Sequence, residues 1–303
     1  MATSTARLML IITACLGTSV ALAAHRTYDN RLNAPQGGQL TFDADVGSVT
    51  VVGRDTHEVV VHADLDASES FLSDFHINAE QTPSGVTISA RKSHKDWFGL
   101  FNFNFGSTRV HFTVEVPRDY PVHLQTAGGN LEVRDLSAPV RGATSGGGIV
   151  VQSVTGTVDL HSSGGSIDAQ HLNGRSKLST SGGGIDVADS TGDLELRTSG
   201  GSIHLRDDDG KVDAHTSGGN VSAELRANRG INLSTSGGSI TVRLPQDTRA
   251  TIDAETSGGR VSSDFPLSAT QSTDSDHLQG AIGGGGAPID LHTSGGNIRI
   301  EPR

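Results

Sequence analysis

Apolar residues in the second half of the chain follow a repeat that has a strand-like alternation inside it. The string Thr-Ser-Gly-Gly-x-Ile, or a close variant, occurs nine times from Thr126 to Thr293, and five successive steps between copies are 18 residues long. Apolar residues occupy alternate positions on both sides of the glycines, as Leu178 does before them and Ile185 and Val187 do after them. Such alternation is typical of strands with one buried face. Each repeat therefore predicts two short strands separated by a glycine corner.

The regular spacing discriminates between two kinds of all-β architecture. In a β-solenoid, each 18-residue unit forms one coil, and equivalent residues stack about 4.8 Å apart. In an antiparallel meander or prism, each unit would supply two hairpin arms, and its apolar face would need a second sheet that the repeats do not provide. The persistence of every apolar and glycine column favours the β-solenoid, a parallel β-helix-like fold of 18-residue coils.

Glycine is the most informative part of the composition. The chain has 39 glycines, and each repeat places two of them at its corner. The most regular pairs are Gly146 and Gly147, Gly164 and Gly165, Gly182 and Gly183, and Gly200 and Gly201. A corner that recurs in every coil requires a positive φ or a close approach of stacked backbones, and glycine allows both. We therefore interpret these pairs as structural corners.

Composition and spacing divide the chain into four parts. Residues 1–23 predict a signal peptide, 24–36 a linker, 37–116 an N-terminal β region that caps the open end of the solenoid, and 117–303 the solenoid itself. An insertion at about 264–287 separates the last two repeats. It predicts an excursion loop or a small hairpin before the final coil.

The first residues have the pattern of an export signal. Arg7 precedes an apolar run from Leu8 to Val20, and the small residues Ala21 and Ala23 stand at the −3 and −1 positions of a cleavage site. This pattern predicts cleavage after Ala23 and a mature chain without a transmembrane span. A lipoprotein cleavage box at Cys15 is the alternative, but the apolar run continues past that residue. We therefore expect a protein of the periplasm, the cell surface or the medium.

Charge and motif content restrict the partners and cofactors. The chain has 23 basic and 34 acidic residues, a balance that opposes binding to a nucleic-acid backbone. Its 13 histidines are dispersed by the repeat register, so we expect no metal centre and no cofactor. Asp189 and Asp207 share a column in adjacent coils and are a weak candidate for Ca²⁺. Because Ca²⁺ takes six or more oxygen ligands, a solvated acidic corner is the favoured interpretation.

An outward column on three consecutive coils is the candidate binding face. Asp168, Asp186 and His204 occupy equivalent positions 18 residues apart. Parallel β-helix enzymes that act on polysaccharides place acidic residues on such a face, so a glycosidase or lyase is the enzymatic alternative. No arginine or aromatic platform stands beside the column in register. We favour a binding surface without catalysis.

A short aromatic segment is the second candidate surface. Trp97 and Phe98 precede a stretch in which phenylalanine alternates with asparagine. The alternation favours an ordinary half-buried strand. The alternative is a protruding apolar hairpin that contacts a partner or a membrane.

The combination of motifs resembles a known family. It consists of the Asp-Val-Gly-Ser-Val segment from Asp45, the Val-Pro-Arg-Asp segment from Val116, the repeated Thr-Ser-Gly-Gly-x-Ile, and the glycine run from Gly283 to Gly286. Over about residues 37–303, the chain is similar to the bacterial putative-adhesin family. The resemblance implies a β-strand-repeat domain of unknown function in cell-envelope proteins, with no catalytic residues to carry over.

The expected function follows from these observations. We expect a non-enzymatic, exported envelope protein that offers an adhesin-like or scaffold surface to a protein or glycan ligand. A carbohydrate-active enzyme and an envelope-stress signalling partner are the alternatives. The repeat leaves the identity of the ligand open.

Overall fold

The computed structural model describes residues 24–93, 108–273 and 275–303. The predicted signal peptide and the alternative lipidation site within it lie outside the described residues, as do Trp97 and Phe98. Strands make up most of the described chain.

The strands follow one another with few other elements. Those before the regular repeats are β1 (Ala24–Asn33), β2 (Gln39–Ala44), β3 (Ser48–Arg54), β4 (Glu58–Ala67), β5 (Phe75–Thr82), β6 (Gly85–Lys92) and β7 (Arg109–Pro117). The regular repeats form β8 (Val122–Thr126), β9 (Leu131–Leu136), β10 (Val140–Thr144), β11 (Ile149–Thr155), β12 (Val158–Ser162), β13 (Ile167–Asn173), β14 (Ser176–Thr180), β15 (Ile185–Ala188), β16 (Leu194–Thr198), β17 (Ile203–Asp208), β18 (Val212–Thr216), β19 (Val221–Leu225), β20 (Ile231–Thr235) and β21 (Ile240–Leu244). The last strands are β22 (Ala250–Thr256), β23 (Val261–Ser263), β24 (Leu267–Thr273), β25 (His277–Ile282), β26 (Ala287–Thr293) and β27 (Ile298–Pro302).

Helix is almost absent from the described residues. The helix α1 (Glu69–Asp74) spans six residues between β4 and β5. Ser68 caps its N-terminus by accepting a hydrogen bond from the backbone N–H of Phe71. Within the described ranges, no helix has the length and apolar character needed to cross a bilayer.

The strands form two sheets that share one apolar core. Sheet A has 13 strands and sheet B has 14. The antiparallel additions are β1 and β4 in sheet A and β5, β24 and β25 in sheet B, which leaves eleven parallel strands in each sheet. Each coil contributes one strand to each sheet. The chain is therefore a β-solenoid, as the repeat spacing predicts.

Equivalent residues of successive coils stack inside the solenoid. In sheet A, Ile167 is the register partner of both Ile149 and Ile185, and all three are fully buried. In sheet B, Leu178 pairs with Leu196, and both are again fully buried. Burial of one such side chain contributes about 1.5–3 kcal/mol. These columns explain how a chain with few aromatic residues builds a continuous core.

The N-terminal segment differs from the sequence prediction. Residues 24–36, predicted as a linker, contain strand β1, which pairs with β4 from Ala24 opposite Ala67 to Asn33 opposite Glu58. Its residues are mostly polar, and its apolar residues Ala24, Tyr28 and Leu32 pack partly against the core. The strand forms because the edge of β4 supplies a full row of backbone hydrogen-bond partners. The predicted linker is therefore wrong over most of its length.

The coils do not follow chain order at either end of the solenoid. Strand β2 pairs with both β6 and β8, so the first coil lies between the coil β6–β7 and the coil β8–β9. Strand β26 pairs with both β20 and β22, so the last coil, β26–β27, lies between two earlier ones. Stacking in chain order would have placed this final coil outermost. The insertion instead forms β24 and β25, and β25 pairs along β22 on the side away from β26.

Candidate functional site

The Ser-Gly-Gly corners bring the backbones of successive coils into contact. A Cβ on Gly147 would lie 2.0 Å from the carbonyl oxygen of Gly129 in the preceding coil. A Cβ on Gly146 would have its nearest heavy atom at 3.7 Å, which is an ordinary contact. The second glycine of the corner is therefore required for close stacking. Other coils show the same difference between the two glycines. At the second position, a Cβ would lie within 2.4 Å of a backbone oxygen of the neighbouring coil at Gly165, Gly183 and Gly201. At the first position, the nearest backbone oxygen would lie 3.0–3.3 Å away at Gly164, Gly182 and Gly200.

A buried hydroxyl in each repeat connects neighbouring corners. The Oγ1 of Thr180 donates to the carbonyl oxygen of Gly165 at 2.7 Å and accepts the N–H of Gly183 at 3.4 Å. The donated bond recurs in all nine repeats, from Thr126 to Thr293. No structural role was predicted from the sequence for this threonine or serine. The residue could have been recognised as structural, because every copy of the repeat has a hydroxyl-bearing side chain at this position.

The opposite corner contains a column of residues in the left-handed conformation. They are Asp135, Ser153, His171, Asp189 and Asp207, with φ between 54° and 58°. Aspartate and histidine adopt this conformation more readily than branched or bulky residues. The two calcium candidates, Asp189 and Asp207, therefore occupy positions at which the backbone itself favours aspartate.

Arginine side chains neutralise these two carboxylates. Asp189 accepts a hydrogen bond from Arg226 at 3.3 Å, and Asp207 accepts one from Arg303 at 2.7 Å. Within the described part of the chain, no three His, Cys, Asp or Glu side chains are grouped so that they could hold a metal ion. The geometry of this corner is that of surface ion pairs.

Asp208 is the one buried carboxylate at this corner. Its side chain is 1 % exposed and lies opposite Leu225 in the neighbouring coil. Its Oδ1 accepts the backbone N–H of Ser190 at 2.9 Å, while its Oδ2 has no hydrogen-bond partner among the described residues. Burial raises the pKa of Asp208 to about 7, against the opposing effects of the Ser190 hydrogen bonds and the Arg226 charge. The 18-residue register carries the signal for this burial, because Leu136, Val154 and Leu172 occupy the equivalent position in earlier coils and are buried.

The predicted outward ladder exists on sheet A. Asp186 is the register partner of both Asp168 and His204, and all three residues are exposed. Partial burial raises the pKa of Asp168 above its ordinary value, and the negative charge of Asp186 adds to the effect. The structure thus brings these three predicted residues together on adjacent strands.

Sheet B presents a different outer face, with a network of ion pairs. Glu195 lies 3.2 Å from Arg197, 3.7 Å from Lys177 and 4.0 Å from Arg175. The hydrogen bond from Arg197 and the neighbouring positive charges hold the pKa of Glu195 below its ordinary value. Because the arginine and lysine side chains are half-exposed or more, each pair contributes little to stability. The network instead defines a face with alternating charges.

Three solved structures resemble the fold over most of its length. A putative cell adhesion protein from Clostridium sporogenes is 13 % identical, with 92 % of this chain and 100 % of that chain covered and a TM-score of 0.22. A putative adhesin from Bacteroides fragilis is 14 % identical, with 92 % and 97 % covered and a TM-score of 0.46. A putative adhesin from Parabacteroides distasonis is 11 % identical, with 90 % and 97 % covered and a TM-score of 0.52. At these identities, only the last score supports a shared fold.

Family membership rests on the sequence itself. No curated protein matches the chain. The family described as Toastrack DUF4097 matches residues 38–301, which include every coil of the solenoid. The chain belongs to the Toastrack DUF4097 family.

Proposed function

We propose that the protein is an exported, non-enzymatic binding protein of the bacterial envelope, with an adhesin-like or scaffold role. The observation that carries this proposal is the pair of broad outer faces on a closely stacked solenoid. On sheet A, the face includes the exposed ladder of Asp168, Asp186 and His204, and on sheet B it includes the network around Glu195. Side chains spaced by one strand, about 4.8 Å apart, suit an extended ligand that contacts several coils at once.

Two further observations support this proposal. The similar solved structure from Parabacteroides distasonis is named as a putative adhesin, which is a statement about that protein. The apolar run that ends before Ala23 has the pattern of an export signal. An exported protein with extended polar faces is suited to contact partners outside the cytoplasm.

Ligand binding and turnover can be measured on the same preparation. The purified protein would be applied to a glycan array and to a panel of extracellular proteins, and each glycan that binds would be incubated with it and analysed for cleavage. Binding without new reducing ends or unsaturated products is the expected result. Cleavage at rates above background would contradict a non-enzymatic role, and failure to bind any glycan or protein would contradict a binding role.

Export can be tested separately from binding. We expect the mature N-terminus to be Ala24 and the protein to be released from spheroplasts without detergent. The variant Cys15→Ser should behave identically, because cleavage after Ala23 removes this residue. Retention of the wild type in the membrane and its release by Cys15→Ser would instead indicate the lipoprotein.

A carbohydrate-active enzyme is the second candidate, and one observation favours it. Asp168 has a raised pKa next to a second carboxylate, Asp186, and a general acid in a glycosidase needs such a shift. Asp186→Asn would abolish any cleavage that this pair catalyses. Asp159→Asn removes an exposed carboxylate from the outer face of sheet B and serves as the matched control.

A further inference from the structure

A cleft opens on the outer face of sheet A where three distant segments meet. It has a volume of about 390 Å³ and is lined by Ser239, Ile240, Thr241, Arg260, Ser262, Asn297 and Arg299. This volume lies within the range of about 300–1,000 Å³ that is common for ligand pockets. The lining residues belong to the coils of β21, β27 and β23, which are neighbours in sheet A. The cleft exists only because the last coil lies between two earlier ones.

The cleft is a small grid of polar side chains on three parallel strands. Arg299 is the register partner of Thr241 on one side and of Ser262 on the other. Adjacent strands lie about 4.8 Å apart, so both hydroxyls are within reach of a group bound at the Arg299 guanidinium. Arg299 therefore occupies the centre of the grid, with a hydroxyl group on each side. Ser262 Oγ donates to the carbonyl oxygen of Ile298 at 3.4 Å, so on its side the grid offers a hydroxyl oxygen as an acceptor.

The corner row of the grid is held in place by its own hydrogen bonds. The backbone N–H of Asn297 donates to Ser239 Oγ at 3.1 Å, and the backbone N–H of Arg260 donates to Asn297 Oδ1 at 2.9 Å. These bonds use the oxygen of the Asn297 amide and leave its NH₂ group and the Arg260 guanidinium as donors for a ligand. The row thus combines a fixed backbone with two unused donor groups.

The charge of the cleft is opposite to that of the protein as a whole. The chain has a formal net charge of −11, but the two charged residues among the described lining are both arginines. Arg299 is 3.3 Å from Glu301, and its side chain remains 61 % exposed. Glu301 is shared with Arg243, at 3.1 Å. Within the described residues, Arg260 takes part in no ion pair. Because an exposed pair is weak, Arg299 can bind another anion at little cost.

We infer that this cleft binds the carboxylate of an acidic polysaccharide. A guanidinium presents parallel N–H donors that match the two oxygens of a carboxylate, and Arg260 and Arg299 lie on adjacent coils. Thr241, Ser262 and the Asn297 amide supply the neutral donors and acceptors that hydroxyl groups of a sugar ring require. The inference rests on the proposed function, since it names the ligand class of one binding face. A uronic-acid chain of several residues could continue along the adjacent coils.

The test compares charged and neutral glycans on matched variants. Oligogalacturonate, heparin oligosaccharides and neutral dextran oligosaccharides would be titrated into the full chain by calorimetry at low and high salt. The variants are Arg260→Ala, Arg299→Ala and their combination. Arg141→Ala is the control, because it removes the same charge from an exposed position on sheet B. Thermal denaturation checks that each variant is folded.

We expect oligogalacturonate to bind and the double variant to weaken its binding at least tenfold, with Arg141→Ala unchanged. Equal weakening by Arg141→Ala would overturn the inference, because it would indicate general charge attraction. Binding of heparin alone would assign the cleft to sulfate groups and overturn the carboxylate assignment.

The inference and the proposed function fail in different ways. If no acidic glycan binds but the array detects another ligand that these variants leave unaffected, the inference fails and the proposed function stands. If oligogalacturonate binds at the arginines and is then cleaved, the site stands and the non-enzymatic function fails.

Discussion

The middle of the solenoid and its two ends are built from the same coil but are connected differently. From β10 to β19, each strand pairs with the equivalent strands of the preceding and following repeats. At the N-terminal end, the first coil lies between the coils of β6–β7 and β8–β9, and at the C-terminal end the last coil lies between those of β20–β21 and β22–β23. At both ends, the coil that comes first or last along the chain therefore lies one position inside the stack.

The geometry of a coil does not determine its position in the stack. The hydroxyl ladder continues through the C-terminal exchange, because Thr293 donates to Gly238 and Thr256 donates to Gly296. The corner therefore accepts any coil of the correct shape, whether or not it is next in the chain. An inserted terminal coil has partners on both sides, and antiparallel strands then lie along the N-terminal edge of both sheets and the C-terminal edge of sheet B.

The largest expected contrast concerns the order of the coils. Ser234 and His292 are register partners on the outer face of sheet B, and Glu255 lies one strand further away. Cα atoms of adjacent strands are about 4.8 Å apart, within disulfide range, whereas two strands span about 10 Å. In a Cys15→Ser background, the pair Ser234→Cys and His292→Cys should oxidise almost completely. The control pair, Ser234→Cys and Glu255→Cys, should remain reduced.

Peptide mass spectrometry after mild oxidation would measure both yields. A disulfide in the control pair and none in the first pair would mean that the coils stack in chain order, and the described exchange would be wrong.

The next effect concerns the tight corner of the regular middle. Gly147→Ala should lower the free energy of unfolding by about 3 kcal/mol or more, because the new Cβ would meet the carbonyl of Gly129 at 2.0 Å. Gly146→Ala should change it by no more than about 0.5 kcal/mol, since its contact is ordinary. Denaturant unfolding of both variants measures the difference. Similar losses would show that the corner has room to adjust.

The third effect is the pH dependence of stability that arises from Asp208, which follows the last residue of the left-handed column, Asp207. The pKa of Asp208 is raised to about 7 in the folded state, so the folded protein binds this proton more tightly than the unfolded chain does. The stabilisation is present below about pH 4 and is lost as the pH rises to about 7, by roughly 2–4 kcal/mol. Asp208→Leu, which introduces the residue found at Leu225 in the next coil, should remove this loss.

Denaturant unfolding at pH 5 and pH 8 gives the free energy of unfolding of the wild type and of the variant. Their difference at each pH isolates the contribution of Asp208 from that of the other titrating residues. Asp209→Asn is the control, because its carboxylate is only partly buried and its pKa is lowered by Arg229. If Asp208→Leu and the wild type had parallel pH profiles, the buried carboxylate would not be the cause.

The smallest effect compares the hydroxyl ladder in the middle with the ladder at the exchanged coil. Thr198 donates to Gly183 and Thr293 donates to Gly238, both at 2.7 Å. Replacement of either threonine by valine should cost about 1–2 kcal/mol, since the donated bond and the longer bond accepted from the corner N–H are both lost while the shape is kept. Thr198→Ser and Thr293→Ser should retain most of the stability. A neutral Thr293→Val would indicate that the ladder is not continuous at the end.

Much of the coil could be predicted from the sequence. The alternation around Ile185 and Val187 predicted the strands, and the glycine pairs predicted the corners, because both depend on interactions that repeat every 18 residues. The ladder of Asp168, Asp186 and His204 followed from the same register. Strand β1 was missed because its polar residues carry no alternation, and its formation depends on the free edge of β4.

The cleft could not be predicted in the same way. Sequence register would have placed Thr241 beside Ser262, with Arg299 beyond it at the end of the stack. The structure inserts Arg299 between them, and this insertion assembles the two arginines with three hydroxyls. The burial of Asp208 has the opposite cause, since the repeat register places it in the column of the buried residues Val154, Leu172 and Ser190.

The sequence by itself determined the shape of one coil and the regular part of the stack, because local alternation and close glycine contacts recur in every copy. Only the tertiary structure decided which coils are neighbours at the ends, because coils of the same shape offer equivalent edges to one another. The insertion occupies one edge of β22 through β25, and the last coil pairs with the other edge through β26. The candidate carboxylate-binding cleft lies where that choice was made.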